Sequence, residues 1–264
     1  MNGWERRTVA VNGAELVVHQ RGHGPAVLMH PSLGRPAEDF EDLGNRVADA
    51  GFRSVLINPR EIGGSVGPMD GITLHDLAAD VWGVADELGI DRAAVLGQNF
   101  GNRVARTASA DQPDRVTALL LLAAGGEVQP SKEVRDEFSK VFDPSLPPER
   151  HLQAVANSFF AAGNDAAVWT DGWYPHAAQH QVKAAERTDF APIYPGGTAP
   201  MAVIQGLDDV IAPPENAWNL VNRRPGARLV AFPNMGHAML PEHPAAIAAA
   251  VIDFLNSVDH NTPR

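Results

Sequence analysis

Three polar residues in loop-like segments carry most of the chemistry that this sequence could perform. Asn99 is the central residue of "GQNFG", Asp209 is the second acid of "GLDDVIAP", and His237 lies in "FPNMGHAMLPEHP". A carboxylate that orients an imidazole leaves the second ring nitrogen free to act as a general base. Asn99 cannot attack a substrate itself, because the lone pair of its amide nitrogen is delocalised. An acid and a histidine could together supply such a base, and asparagine leaves the attacking group open.

Each of these residues directly follows a segment with the composition of a buried strand. Asn99 comes after "AAVL", Asp209 after "MAVIQG", and His237 after "ARLVAFP". Ligands of open α/β sheets bind outside the carboxyl ends of the strands. We therefore expect the three side chains to meet at one edge of a sheet.

The remaining segments alternate between strand-like and helix-like patterns. "RTVAV" and "AELVVHQ" predict two antiparallel strands, and "PAVLMH" and "RSVLINP" predict buried ones. "TLHDLAADVWGVADELG" is typical of a capped helix. The alternation predicts a mostly parallel, doubly wound sheet.

One long segment departs from this alternation. Residues 127–198 are rich in proline and aromatic residues, and their pattern is helical without a clear strand. We interpret them as a helical lid inserted into a core formed by residues 1–126 and 199–264. The C-terminal "DHNTPR" is expected to be frayed.

Composition limits the classes of partner. The 264 residues carry a net charge of −11, which argues against nucleic-acid and anionic-membrane partners. The chain has no cysteine, so disulfides and thiolate chemistry are excluded. The N-terminal "MNGWERRTVAVNG" lacks the apolar segment of a signal peptide. We expect a cytoplasmic protein that acts on a small molecule, with a homodimer left open.

The order of elbow residue, acid and histidine along the chain resembles the α/β-hydrolase fold superfamily, in which "GQNFG" would be the nucleophile elbow. "GLDDVIAP" is similar to the family pattern G-x-x-D-x-x-x-P, which selects Asp209 over Asp208 as the acid. The resemblance implies an eight-stranded, mostly parallel sheet flanked by helices, with a lid after the sixth strand. It also implies that His237 is the base. Asparagine departs from the serine or aspartate usual at the elbow.

The resemblance also implies where an oxyanion would bind. "HPSLGRPAEDF", residues 30–40, is similar to the loop after the third strand that supplies one backbone N–H. Ser32 or Leu33 would provide this donor, and Phe100 would provide the second. Pro31 stands where the family usually has glycine, and it removes one donor.

Several functions remain open at this stage. We favour a hydrolase of a hydrophobic, carbonyl-containing molecule of ester or lactone type, with Asn99 polarising the carbonyl. Either Ser32, activated through His237 and Asp209, or a water molecule activated by His237 would attack. The alternatives are epoxide-hydrolase-like chemistry, cofactor-free lyase or isomerase chemistry by the same pair, and a catalytically silent binding protein.

Substrate-binding residues are expected in the lid and behind the oxyanion loop; they are His30, Phe159, Trp173, Tyr174 and Tyr194. We expect no cofactor. His176 and His180 lie one helical turn apart in "HAAQH", a spacing that can hold a metal ion. The sequence offers no third ligand for them, so no metal site is predicted.

Overall fold

The structure is a computed structural model, and it describes residues 1–260. The predictions for the last residues of the core and for the end of "DHNTPR" fall on residues 261–264, outside the described residues. The strands are β1 (Glu5–Val11), β2 (Ala14–Gly22), β3 (Ala26–His30), β4 (Arg53–Ile57), β5 (Ala93–Gln98), β6 (Val116–Leu122), β7 (Met201–Gly206) and β8 (Arg228–Phe232). The helices are α1 (Glu41–Asp49), α2 (Leu74–Glu87), α3 (Phe100–Asp111), α4 (Lys132–Lys140), α5 (Pro148–Phe159), α6 (Pro175–Glu186), α7 (Glu215–Arg223) and α8 (Pro244–Asn256).

The strands form one eight-stranded sheet in the order β1-β2-β4-β3-β5-β6-β7-β8. β2 is antiparallel to both of its neighbours, and all other neighbours pair in parallel. The central strands β3, β5, β6 and β7 are buried along their whole length, because helices cover both faces of the sheet. The predicted fold class is confirmed.

Two hydrophobic clusters explain how the sheet is covered. One packs α2 and α3 against the sheet through residues such as Trp82 and Val104. The other packs α1 and α8 against the opposite face, through Val47 and Val251. The two layers hold the strand ends rigidly, and this rigidity is what positions a catalytic site in such folds.

Between β6 and β7 the described elements are all helical: α4, α5, α6 and a short 3₁₀ turn at Ala166–Trp169. These helices bury aromatic side chains against one another in a cluster that includes Phe159 and Trp169. No helix within residues 1–260 combines the length and the apolar character needed to cross a bilayer.

Candidate active site

The turn between β5 and α3 has the geometry of a nucleophile elbow. Asn99 has φ 50° and ψ −111°, a strained conformation for a residue other than glycine. A Cβ atom at Gly97 would lie 2.2 Å from the carbonyl oxygen of Gly101, and one at Gly101 would lie 2.1 Å from that of His30. The two glycines of "GQNFG" are therefore required by close backbone contacts.

The acid and the imidazole form a buried pair. His237 Nδ1 lies 2.8 Å from Asp209 Oδ2 and 2.9 Å from Oδ1, and neither side chain is exposed to solvent. Asp209 Oδ1 also accepts hydrogen bonds from the backbone N–H groups of Ile211 and Ala212, at 2.9 and 2.7 Å. With the carboxylate held in this way, Nδ1 carries the proton and Nε2 presents its lone pair.

The loop that carries His237 is fixed by two side chains to which the sequence had assigned no role. Gln98 Nε2 donates to the carbonyl oxygen of Ala238 at 2.8 Å. The Glu242 carboxylate accepts from the backbone N–H groups of Gly236 at 2.9 Å and Met239 at 3.0 Å. Both are positioning residues. In the sequence, only their polar character and their closeness to the elbow and to His237 could have indicated this role.

The amide of Asn99 lies between the base and the predicted oxyanion donor. Its Nδ2 donates to His237 Nε2, and its Oδ1 accepts from the backbone N–H of Phe100 at 2.5 Å. The two contacts fix the orientation of the amide, since its donor end faces an acceptor and its acceptor end faces a donor. Asn99 is thus hydrogen-bonded to both groups that a reaction would use. Phe100 N–H would bind the reacting carbonyl, and His237 Nε2 would activate the attacking water.

Ser32 does not make the contact that a serine relay requires. Its side chain is buried, and among the described residues Oγ has no hydrogen-bond partner. The nitrogen that would activate it, His237 Nε2, faces Asn99 instead. Next to Ser32, Leu33 lines the main cavity, and the N–H of Gly34 donates to Gln181 Oε1 of the lid at 2.8 Å.

A cavity of about 630 Å³ lies between the sheet and the lid, and Asn99, Phe100 and Leu33 form part of its wall. The lid contributes residues from α4 and α6 such as Phe138 and Val182. This volume is typical of a small-molecule site. His237 is not part of the wall, because it is covered by Asn99.

Arg103 is the cavity residue that sequence reasoning missed. It lies four residues after Asn99, one turn along α3, and its side chain lines the cavity. Within residues 1–260 its guanidinium forms no ion pair, and its charged end lies 5.1 Å from the ring centre of Phe190. Desolvation lowers the pKa of Arg103 below its ordinary value, although the group stays cationic. The only sequence signal was its spacing from the elbow.

The structure does not bring His30 to the cavity wall. Its ring is buried, its Nδ1 lies 3.2 Å from the carbonyl oxygen of Pro31, and burial lowers its pKa to about 4. His30 is therefore neutral and supports the oxyanion loop from behind. The prediction that it binds substrate is not met by this cavity.

The predicted aromatic residues do not line the cavity either. Phe159 and Trp173 pack into the aromatic cluster of the lid, where Phe159 also contacts the His237 ring edge-on, with ring centres 5.5 Å apart. Tyr174 begins α6, and its N–H donates to the carbonyl oxygen of Gly34 at 3.0 Å. Tyr194 is 5% exposed and its hydroxyl has no partner among the described residues. Aromatic side chains bury large apolar surfaces against one another. Packing within the lid therefore accounts for the aromatic residues of this segment without a role in substrate binding.

A sequence model of the α/β hydrolase fold matches residues 25–164, which is more than half of the chain. The protein belongs to this family. Asparagine at the elbow is a feature of this chain's own sequence, and the family match does not assign it a role.

Relatives of this α/β hydrolase-fold protein include named hydrolases. The 2-hydroxy-6-oxo-6-phenylhexa-2,4-dienoate hydrolase of Burkholderia cepacia is 26% identical over 268 residues, covering 90% of each chain. A Mycobacterium tuberculosis protein that carries the name of a non-heme bromoperoxidase is 26% identical over 224 residues, or 79% of this chain and 85% of the relative. The crystal structure of the enol-lactonase from Burkholderia xenovorans LB400 has a TM-score of 0.80 and 25% identity, covering 95% of this chain and 100% of that one.

Proposed function

We propose that this protein hydrolyses a small carbonyl compound of ester or lactone type that also carries a carboxylate, with water as the attacking group. The observation that carries the proposal is the buried His237–Asp209 pair, in which His237 Nε2 faces Asn99 in the wall of the cavity between sheet and lid. The enol-lactonase and the dienoate hydrolase among its relatives support a carbonyl substrate.

Substrate binding begins with an exchange of hydrogen bonds. The carbonyl oxygen of the substrate competes with Asn99 Oδ1 for the N–H of Phe100. When the amide turns toward the substrate, Asn99 Nδ2 donates to the same carbonyl oxygen and leaves His237 Nε2. Two donors then polarise the carbonyl, and the base becomes available.

Hydrolysis then follows from the freed imidazole. His237 Nε2 takes a proton from a water molecule as the water oxygen bonds to the carbonyl carbon. The negative charge that develops on the carbonyl oxygen is stabilised by Phe100 N–H and Asn99 Nδ2. When the C–O bond to the leaving group breaks, His237 returns the proton to the alkoxide or enolate. Asp209 stabilises the imidazolium that exists between these steps.

We propose a carboxylate in the substrate because of Arg103. Among residues 1–260 this partly desolvated guanidinium has no ion-pair partner, which is costly, and a carboxylate forms charge-assisted hydrogen bonds with it. Its place one turn from Asn99 puts the anionic group of the substrate next to the reacting carbonyl. Arg135 and Glu186 also line the cavity, and together they add no net charge to its wall.

The first test is loss of the base. We expect His237→Ala to lower kcat/KM for a panel of esters and lactones by about 10²- to 10⁴-fold, the usual contribution of general base catalysis. His75→Ala, which changes an exposed histidine on α2, serves as the control and should leave turnover unchanged. Turnover that survives His237→Ala would rule out the mechanism.

The attacking group can be identified separately. If water attacks, a fluorophosphonate probe should label no serine of the chain, and Ser32→Ala should retain turnover. An adduct on the peptide that contains Ser32 would instead show that the serine attacks, while leaving the role of His237 intact.

The second test concerns Arg103. Arg103→Met should raise KM for a carboxylate-bearing ester by about 10- to 100-fold, corresponding to the ~1.5–3 kcal/mol of a charged hydrogen bond. The neutral methyl ester of the same substrate should be little affected. Arg103→Lys keeps the charge and should restore part of the preference. Equal effects on both substrates would mean that Arg103 supports only the shape of the cavity.

A catalytically silent binding protein is the second candidate, because the Asn99 amide covers His237 Nε2 and one oxyanion donor. This candidate predicts tight retention of a carboxylate ligand in both the wild type and His237→Ala. Epoxide-type chemistry has less support, since neither Tyr174 nor Tyr194 lines the cavity. It predicts that Asn99→Asp gains activity toward epoxides.

A further inference from the structure

Three potential metal ligands meet at a surface site where the lid contacts the core. His176 and His180 lie one turn apart on α6, and Glu61 comes from the loop after β4. One ligand atom from each residue can be chosen so that all lie within 4.8 Å of one another. Glu61 is the third ligand that the sequence could not show, because it is more than a hundred residues away from the histidines.

The distances suit a tetrahedral ion. Glu61 Oε2 lies 2.9 Å from His180 Nδ1, and Oε1 lies 3.6 Å from His176 Nδ1. Two ligand atoms bonded at ~2.1 Å to a tetrahedral zinc ion are about 3.4 Å apart. The contact to His176 is already close to this spacing, and the contact to His180, made by the other carboxylate oxygen, has to lengthen when an ion enters. The His176 side chain is 76% exposed, so it can adjust without disturbing packing.

The frame behind the ligands is already fixed. Glu61 has φ 68°, an unusual value for a glutamate, and its N–H donates to the carbonyl oxygen of Ser65 at 3.0 Å. The two histidines are held by the helix, with ring centres 4.3 Å apart. When an ion binds, ordering is needed mainly at the exposed His176 side chain, which favours affinity.

We propose that Glu61, His176 and His180 form a binding site for a divalent transition metal of the zinc class, distinct from the catalytic cavity. Two imidazoles and one carboxylate are ligands that zinc prefers, and a water molecule would complete the tetrahedron. None of the three residues lines the cavity that contains Asn99. The site joins α6 to the core beside Gln181, whose side chain already holds the N–H of Gly34. Bound metal therefore stabilises the attachment of the lid.

The test uses the untagged full-length chain after treatment with EDTA. Isothermal titration with Zn²⁺ should show one ion per chain, and Zn²⁺ should raise Tm in a way that EDTA reverses. His176→Ala and Glu61→Gln should each weaken zinc binding at least about tenfold and abolish the shift in Tm. His176 is largely exposed, so its variant is expected to fold normally.

A matched control comes from a second histidine–carboxylate pair at the surface. His75 Nδ1 lies 2.8 Å from Asp111 Oδ2, but this pair has no third ligand among the described residues. His75→Ala should therefore leave zinc binding unchanged. Absence of saturable binding by the wild type would reduce the cluster to an ion pair and overturn the proposal. Binding that survives His176→Ala with the same affinity and stoichiometry would also overturn it.

Discussion

At position 99 a single amide makes the contacts that a reacting group would otherwise make. A serine there would present one hydroxyl to the imidazole, whereas asparagine presents a donor to His237 Nε2 and an acceptor to Phe100 N–H. This residue cannot form an acyl intermediate, but it can donate to an oxyanion in the way asparagine does in other acyl-transfer sites. In the proposed mechanism, asparagine at this position therefore goes with water as the attacking group and His237 as the base.

Stability toward acid is predicted to depend on His30. Burial lowers its pKa from 6.5 to about 4, so the folded protein keeps the ring neutral while the unfolded chain takes up a proton below pH 6.5. The stability that this group contributes is fully present above pH 6.5 and is lost as pH falls toward 4. The loss amounts to about 3 kcal/mol of unfolding free energy.

Denaturant unfolding at pH 7 and pH 4 measures this difference. His30→Gln has no proton to gain, so its free energy of unfolding should fall less between these pH values than that of the wild type. If the free energy of unfolding falls by the same amount in His30→Gln and in the wild type, other groups govern acid unfolding.

At the scale of elements, the elbow is a strand, a strained residue and a helix packed against the loop after β3. The carbonyl oxygens of His30 and Pro31 lie where a Cβ of Gly101 would be, at 2.1 and 2.6 Å. This contact brings the oxyanion loop to the start of α3. A side chain at position 101 would push the two elements apart.

Gly101→Ala is therefore expected to lower the free energy of unfolding by about 1–3 kcal/mol, as overpacking usually does, and to lower kcat by separating the oxyanion loop from Phe100. Gly125→Ala is the matched control, because a Cβ there meets nothing within 4 Å. The two variants should be compared by urea unfolding, and Gly101→Ala should be compared with the wild type by steady-state kinetics, because Gly125 itself lines the cavity. Similar stability in both variants would contradict the packing argument.

At the scale of the whole molecule, one arginine connects the core to the lid. Arg35 in the loop after β3 pairs with Asp39 at 2.7 Å, and its Nη1 donates to the carbonyl oxygen of Asp171 at 2.6 Å. Its guanidinium also lies 4.5 Å from the ring centres of Trp169 and Trp173. The lid is thus fixed to the same loop that borders the candidate active site.

Arg35→Ala should loosen the lid and destabilise the fold by about 3–5 kcal/mol, because Asp39 would remain buried without its partner. Hydrogen exchange across residues 166–174 should accelerate more than in the core strands. Arg46→Ala removes a second Arg–Asp pair of the same i,i+4 type, whose side chains are 45% and 55% exposed. Its cost should be below about 1 kcal/mol. Equal effects of the two variants would argue against the role of Arg35 as a lid anchor.

The sequence by itself determined the mostly parallel sheet, the helical character of the segment between β6 and β7, and the positions of Asn99, Asp209 and His237 after strand ends. These features follow from local periodicity and from glycines whose spacing reports close backbone contact. Local patterns carry this information because each arises from residues adjacent in the chain.

Only the tertiary structure decided which distant side chains meet. In the structure Arg103 lines the cavity, whereas His30 and the predicted aromatic residues do not. His237 Nε2 contacts Asn99 and not Ser32. Glu61 lies next to His176 and His180. The physical reason is that helix rotation and loop packing set these contacts, and both depend on burial across the whole molecule. The sequence alone does not show whether a charged or aromatic side chain faces a ligand or the protein core.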